Sequence, residues 1–410
     1  MKIEIITVGD EVISGHIANT NATFLANTVY SLGAKVTRIV SVGDNAEAIT
    51  ETIQEAIKRV DVILVTGGLG PTPDDLTSQA AAQALRRGLV VHTGYLKNIK
   101  EKFQRWNLTF TPSDEKQALL PERAEPLPNP IGVCGFQLEE GGKPLFFFPG
   151  VSREVKTIAQ GSLIPFIREK MQNEGTIVCS SLFKVFGPTE SGVKELLKEL
   201  EGDFELAYLP SFPEIHLKLT VQGNNPREVE AKHNTYAKEL SKTLGIYCFG
   251  KDNDSMEGVV GTLLREKGMT ISVAESCTGG LIAHRITEIP GSSDYFIQGA
   301  VVYSKQAKKD LLEVPSSLLE KRGPVSKETA ALLAKSIRKL SKTTLGVATT
   351  GIAGPTGDTL EIPVGRVFIA LAAPDTLEVK QYDFFGDRSQ IKLIASEVSL
   401  DRVRRYLLSH

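Results

Sequence analysis

Residues 274–280 run Ala-Glu-Ser-Cys-Thr-Gly-Gly, which sets three potential nucleophiles in a row behind a carboxylate. The alternation of "MTISV" before them predicts a strand, and "GGLIAHRITEI" predicts a following helix. Ser276 then falls on the connecting turn. There, helix N–H groups and the positive end of the dipole favour an anion or a developing oxyanion. Gly279 and Gly280 allow backbone to approach a ligand closely. The same pattern also describes an ordinary helix start capped by Ser276 and Thr278. Cys277 is a rival nucleophile, since a thiolate beside a helix N-terminus is reactive.

A serine hydroxyl attacks only when a base removes its proton. The six histidines are scattered, and His284 reads as a surface or packing residue. Lysine is the other base. "AVVYSKQAKKD" (300–310) leaves a strand and enters a helix, carrying Tyr303, Lys305, Lys308 and Lys309 to the same topological place as Ser276. A lysine acts as a base only if burial or a nearby cation lowers its pKa; otherwise it is solvated surface. A third loop, "TTGIAGPTG" (349–357), holds Gly351, Gly354 and Gly357 and can present N–H groups to a phosphate or carbonyl oxygen. It has neither the lysine of a P-loop nor a dinucleotide fingerprint.

Near the N-terminus, Asp10 on "VGDE" and Asp74 and Asp75 on "TGGLGPTPDDLT" lie at predicted strand ends. Oxygen ligands of this kind suit a divalent metal bridging a pyrophosphate, with Gly67, Gly68 and Gly70 allowing the phosphates close. The alternative is that Asp74 or Asp75 caps the helix that follows.

These loops need elements to hold them. The length of 410 residues predicts two or three domains, and 41% hydrophobic with 23% charged residues is ordinary globular composition. A formal net charge of −2 argues against a broad nucleic-acid or membrane-binding surface. Four dispersed cysteines without a CxxC argue against a zinc site or a disulfide framework. No apolar run approaches the roughly 20 residues of a membrane span, and the opening "MKIEIITVGDEV" reads as a strand, so a cytoplasmic location is expected.

Strands alternate with helices from residue 1 to about 170, which predicts a parallel α/β sheet. Residues 171–250 follow a βαββα order resembling a KH-type module, without the GxxG loop that clamps RNA and with Glu199, Glu201, Asp203 and Glu205 adding negative charge. Residues 251–410 alternate again. Ser326 is expected to cap a helix whose Leu333, Ile337 and Leu340 share one face, and a last helix from about Ser389 aligns Ile391, Ala395 and Val398.

The stretches "VAESCTGG", "GAVVYSKQAK", "TTGIAGPTG" with "PVGRVFIA", and "FFGDRSQIK" resemble the C-terminal domain of the CinA (competence/damage-inducible protein) family. "EIITVGDEVISGHIANTNATFLA" and "VTGGLGPTPDDLT" resemble its N-terminal domain, and the order is kept over essentially the whole chain. The resemblance implies an α/β chain of three parts: a molybdopterin-binding-like parallel-sheet domain (1–170), a central α+β KH-like module (171–250) and an α/β deamidase domain (251–410). It further implies an enzyme of pyridine-nucleotide recycling. Ser276 would attack the carboxamide of nicotinamide mononucleotide, Lys308 would be the general base, and Tyr303 would orient the lysine or relay a proton. Backbone around Cys277, Thr278 and Gly279 would donate to the oxyanion. Gly351, Ala353 and Gly354 would line the nucleotide pocket, with Arg388 on the phosphate. The N-terminal domain would hydrolyse ADP-ribose with a divalent metal at Asp10, Asp74 and Asp75 and phosphates at Gly67, Gly68 and Gly70. The deamidase domain is expected to need no cofactor, and the partners expected are these nucleotides and a second copy of the chain. Two alternatives stand beside this: a deamidase whose N-terminal domain only binds a nucleotide, and a non-catalytic binding protein linked to competence.

The chain departs from the family pattern in places. Lys305 stands where an asparagine is usual, and would lower the pKa of Lys308, bind phosphate or face solvent. Asp114, Cys134 and Ser152 replace customary residues of the N-terminal domain, and an acid at 114 predicts repulsion of a pyrophosphate unless a metal intervenes.

Overall fold

The computed structural model describes residues 1–173, 175, 177–357, 359 and 362–410. It divides into two compact units, one of residues 1–180 with 220–233, the other of residues 181–219 with 234–410. Among the described residues no helix is long and apolar enough to cross a membrane.

The first unit begins β1 (Lys2–Val8), α1 (Asp10–Ile13), α2 (Thr20–Ser31), β2 (Lys35–Val42), α3 (Ala46–Arg59), β3 (Val62–Thr66) and α4 (Thr77–Ala84). A two-stranded pair, β4 (Leu89–Val91) and β5 (Leu119–Pro121), flanks α5 (Thr93–Arg105). Then come β6 (Glu125–Leu127), β7 (Gly135–Glu140), β8 (Lys143–Phe148), α6 (Ser152–Ile158) and α7 (Ile164–Asn173). The main sheet has the order β2-β1-β3-β8-β7-β6. Its first four strands are parallel, as alternating strands and helices require. β7 and β6 extend it antiparallel. The cause is local: Gly141 and Gly142, with φ of 58° and 75°, make a two-residue turn that folds β7 back on β8.

The middle of the chain keeps the expected order: β9 (Ile177–Val185), α8 (Glu190–Leu196), β10 (Glu205–Ser211), β11 (Glu214–Gly223) and α9 (Pro226–Leu244). A short strand, β12 (Cys248–Lys251), completes a sheet ordered β10-β11-β9-β12. Phe183, Leu217 and Leu219 pack with Val193, Leu197, Leu240 and Leu244 of the helices.

The C-terminal domain contains α10 (Met256–Glu266), β13 (Ile271–Glu275), α11 (Leu281–Thr287), β14 (Phe296–Val301), α12 (Lys305–Leu312), α13 (Ser316–Arg322) and α14 (Lys327–Ser341). It continues with β15 (Leu345–Gly351), β16 (Arg366–Ala372), β17 (Leu377–Asp383) and α15 (Arg388–Ser409). The sheet order is β14-β13-β15-β16-β17, parallel for the first three strands and antiparallel for the rest. Side chains alternate between two covered faces. Val273 and Val347 join the core beneath α10, α11 and α15, while Ala274 and Ala348 join the one beneath α14. Ser326 caps α14, accepting from the Thr329 N–H at 3.2 Å. Leu333 and Ile337 are buried as expected, but Leu340 is half-exposed, in the last turn before Lys342 adopts a left-handed conformation. Three parallel neighbours bring three carboxyl ends to one edge, with Glu275 opposite both Val301 and Thr349. The loops that follow are therefore forced together.

Candidate active site

Ser276 leaves β13 pinned on both sides. Its N–H donates to the Thr349 carbonyl (3.1 Å), and the Val302 N–H donates to the carbonyl of Glu275 (2.8 Å). The loops after β13, β14 and β15 enclose a cavity of about 220 Å³ whose wall includes Ser276, Cys277, Tyr303, Lys308, Gly351 and Arg388. Among the described residues, Lys308 and Arg388 are the charged side chains of that wall.

Ser304 caps α12, accepting from the Ala307 N–H at 3.0 Å. Lys308 follows one turn later and is 1% exposed. Its Nζ donates to Ser276 Oγ (3.0 Å) and to the carbonyls of Val302 (2.6 Å) and Tyr303 (3.2 Å). Burial pulls its pKa down to about 8, against a small opposing effect of Cys277. A neutral amine keeps two N–H bonds for the two carbonyls and turns its lone pair to the serine hydroxyl. Both states of a general base thus fit one geometry. Lys305, at the start of the same helix, is exposed and off the cavity wall.

Cys277 is buried, and burial pushes its thiol up to about 12. A thiol held there is not a thiolate near neutral pH. Of the two adjacent candidates, only Ser276 touches a base.

The expected oxyanion role of the α11 N-terminus needs correction. The buried carboxylate of Glu275 accepts from the N–H groups of Gly280 (3.0 Å), Ile282 (3.1 Å) and Ala283 (2.9 Å), so the helix start is closed by the chain itself. The Gly279 N–H donates to the Ser276 carbonyl (3.1 Å). Among the described residues, the N–H groups of Cys277 and Thr278 are the ones at this turn that lack an acceptor. The Thr278 side chain points inward, with Oγ1 2.8 Å from Thr349 Oγ1, and neither it nor Gly279 lines the cavity.

Tyr303 also differs from expectation. Its phenol is 57% exposed and accepts from Arg388 Nη2 (2.8 Å), whereas its backbone carbonyl is what holds Lys308. The other end of the Arg388 guanidinium donates to the Gly354 carbonyl (2.7 Å). Gly351, Ala353 and Gly354 line the cavity. Sequence reasoning gave Glu275 no task, although a carboxylate directly before the turn was a readable capping signal. It also passed over Lys392, one turn after Arg388, whose Nζ would stand 3.5 Å from a Cβ built on Gly279. The i, i+4 spacing was the available cue.

In the N-terminal domain Asp10, Asp74 and Asp75 do not form a metal-holding group among the described residues. Asp75 Oδ2 accepts from the N–H (2.8 Å) and hydroxyl (2.6 Å) of Thr72. Asp10 exchanges bonds with Asp44: its N–H donates to Asp44 Oδ2 (2.9 Å), and its Oδ1 accepts from the Asp44 N–H (3.1 Å). Burial, then the charges of Asp10, Glu11 and Asp74, raise the Asp44 carboxyl. Neither Asp74 nor Asp75 caps α4, whose cap position is Leu76. Among the described residues no three His, Cys, Asp or Glu side chains are grouped to hold a metal ion, so the donor set does not fit a preformed divalent centre. A Cβ on Gly67 would overlap the Val8 carbonyl oxygen, one on Gly68 Thr77 Oγ1, and one on Gly70 the Asp75 carboxylate. The loop's own packing therefore requires these glycines. Asp114 is buried and closes a capping box with Thr111 (2.8 Å to N–H, 2.7 Å to hydroxyl), so this acid has a structural partner.

Comparison with known proteins matches residues 253–407 to the family described as "CinA C-terminal domain". Residues 4–169 match "Probable molybdopterin binding domain", and residues 180–250 match "Damage-inducible protein CinA KH domain". A CinA-like protein of Geotalea uraniireducens is 43% identical over all of this chain and 98% of its own length. One from Geobacter sp. strain M21 is 39% identical with the same coverage. The crystal structure of a competence/damage inducible protein from Agrobacterium tumefaciens covers 37% of this chain and 93% of its own, at 36% identity and a TM-score of 0.36.

Proposed function

This chain belongs to the CinA family, and on that premise we propose that its C-terminal domain is an amidohydrolase that converts nicotinamide mononucleotide to nicotinate mononucleotide and ammonia. The observation that carries this is the buried contact of 3.0 Å between Lys308 Nζ and Ser276 Oγ, in a cavity whose wall also presents Arg388.

Neutral Lys308 takes the Ser276 proton as Oγ attacks the carboxamide carbon, forming a C–O bond. The carbonyl oxygen becomes an oxyanion facing the N–H group of Cys277. The tetrahedral centre collapses, the C–N bond breaks, and Lys308 returns its proton to the departing ammonia. A water activated by the same lysine then cleaves the acyl-serine ester. Arg388 in the wall suits a phosphorylated substrate as its phosphate partner.

For the N-terminal domain, the expectation of ADP-ribose hydrolysis rests on the family resemblance. Its aspartates do not assemble a metal set, so no step is derived through a metal there. The deciding experiment is ammonia release from nicotinamide mononucleotide by the full chain and by Ser276→Ala. Release by the wild type alone supports the proposal; no release by the wild type, or equal release by both, overturns it.

A further inference from the structure

A second cavity, of about 570 Å³, lies between the KH-like module and the C-terminal domain, within the second compact unit. Its volume is in the range of about 300–1,000 Å³ that small-ligand pockets occupy, and a junction between domains is a usual place for one.

Two features of its wall state what it would hold. The first is a flat aromatic face. Tyr382, near the end of β17, and Phe384, just beyond it, are stacked with ring centroids 5.4 Å apart and planes 8° from parallel. A planar ring laid along such a pair gains both area burial and ring–ring attraction.

The second feature is an underused cation. Arg405 of α15 donates through Nε to Asp401 Oδ2 (2.6 Å), and its guanidinium carbon stands 5.5 Å from the centroid of the Tyr247 ring. Among the described residues its Nη1 and Nη2 have no acceptor. Asp401 is shared with Arg404, so it only partly offsets Arg405. Lys380 and Arg402 also line the cavity, Arg402 being paired with Glu378 (2.9 Å). Gly187 (φ 116°) keeps the space beside Arg405 open: a Cβ there would sit 3.4 Å from Nη2 and 3.3 Å from the Tyr247 ring.

We propose that this junction cavity binds a nucleotide-sized aromatic anion, its ring against Tyr382 and Phe384 and its phosphate or carboxylate on Arg405. The site is separate from the catalytic cavity and does not depend on the deamidase proposal. The two are nonetheless joined. α15 carries Arg388 in one wall and Arg405 in the other. The Phe384 N–H donates to Gly365 (2.9 Å), whose N–H donates to Ile352 (2.8 Å) in the catalytic wall.

The test is calorimetric titration of the full chain with adenosine 5′-monophosphate, adenosine and inorganic phosphate. The monophosphate is expected to bind more tightly than either half. Arg405→Gln and Tyr382→Leu should each weaken it by roughly tenfold. Because Tyr382 also packs, the exposed Lys380→Glu serves as a second probe and should weaken binding without altering thermal unfolding. The proposal fails if the monophosphate does not bind at millimolar concentration, if phosphate alone binds equally well, or if Arg405→Gln and Lys380→Glu leave binding intact.

Discussion

Lys308 Nζ and Ser276 Oγ lie 3.0 Å apart although 32 residues separate them in sequence. Their meeting is a consequence of strand order. β13 and β14 are parallel neighbours, so the turn after one and the first helical turn after the other share an edge of the sheet. Replacing Ser276 with alanine is expected to lower kcat for ammonia release by roughly three orders of magnitude or more. Cys277→Ala should retain activity and cost about 1 kcal/mol of stability as a small buried truncation. Steady-state kinetics and thermal melts of the two variants measure this; loss of activity in Cys277→Ala with survival in Ser276→Ala would reverse the assignment.

The depressed pKa of Lys308 sets the pH dependence. With the value near 8 the lysine is mostly protonated at pH 7, and the free base grows as pH rises. kcat/KM should therefore climb through pH 7–9 with an apparent pKa of about 8. A profile flat across that range would exclude Lys308 as the base.

Two of the three lysines of α12 separate cleanly. Lys308→Met should reduce activity by about 10²–10⁴-fold, the span typical of a lost general base. Lys305→Ala, at an exposed position off the cavity, should change kcat and KM by no more than about twofold. A large KM effect at Lys305 would place that cation on the substrate.

Glu275 is expected to be a positioning residue. Its carboxylate accepts three backbone N–H groups at the start of α11. Glu275→Ala strands all three and should cost about 3 kcal/mol together with most activity. Glu275→Gln keeps two-oxygen geometry only in part and should fall between, with kcat affected more than KM. Equal stability of all three proteins in denaturant titration would contradict this.

Asp114 tests the N-terminal domain. Asp114→Ala removes the capping-box acceptor for Thr111 and should lower stability by about 1 kcal/mol, while Asp114→Asn recovers part of it. Neither should alter ammonia release.

Much of the fold was legible because periodicity is a local property. The βαββα order of the central module, the strands of the C-terminal domain and the Ser326 helix start all follow from residues within a few positions of one another. The antiparallel extension by β7 was equally local, written in Gly141–Gly142, but was hidden among strands that otherwise alternate with helices.

The sequence by itself determined which residue types stand at which strand ends: a serine after β13, lysines after β14, and glycines after β15. It also determined the family through motifs kept in order. It left open whether Ser276 was a cap or a nucleophile, Cys277 a thiolate or a buried thiol, and Lys308 a solvated charge or a base. Only the tertiary structure decided their environments. Burial moved the Cys277 thiol up and the Lys308 ammonium down, Glu275 took the helix N–H groups, and Asp10 and Asp75 bonded Asp44 and Thr72. The physical reason is that a pKa and a hydrogen-bond partner depend on what surrounds a group in space, which spacing along the chain does not encode.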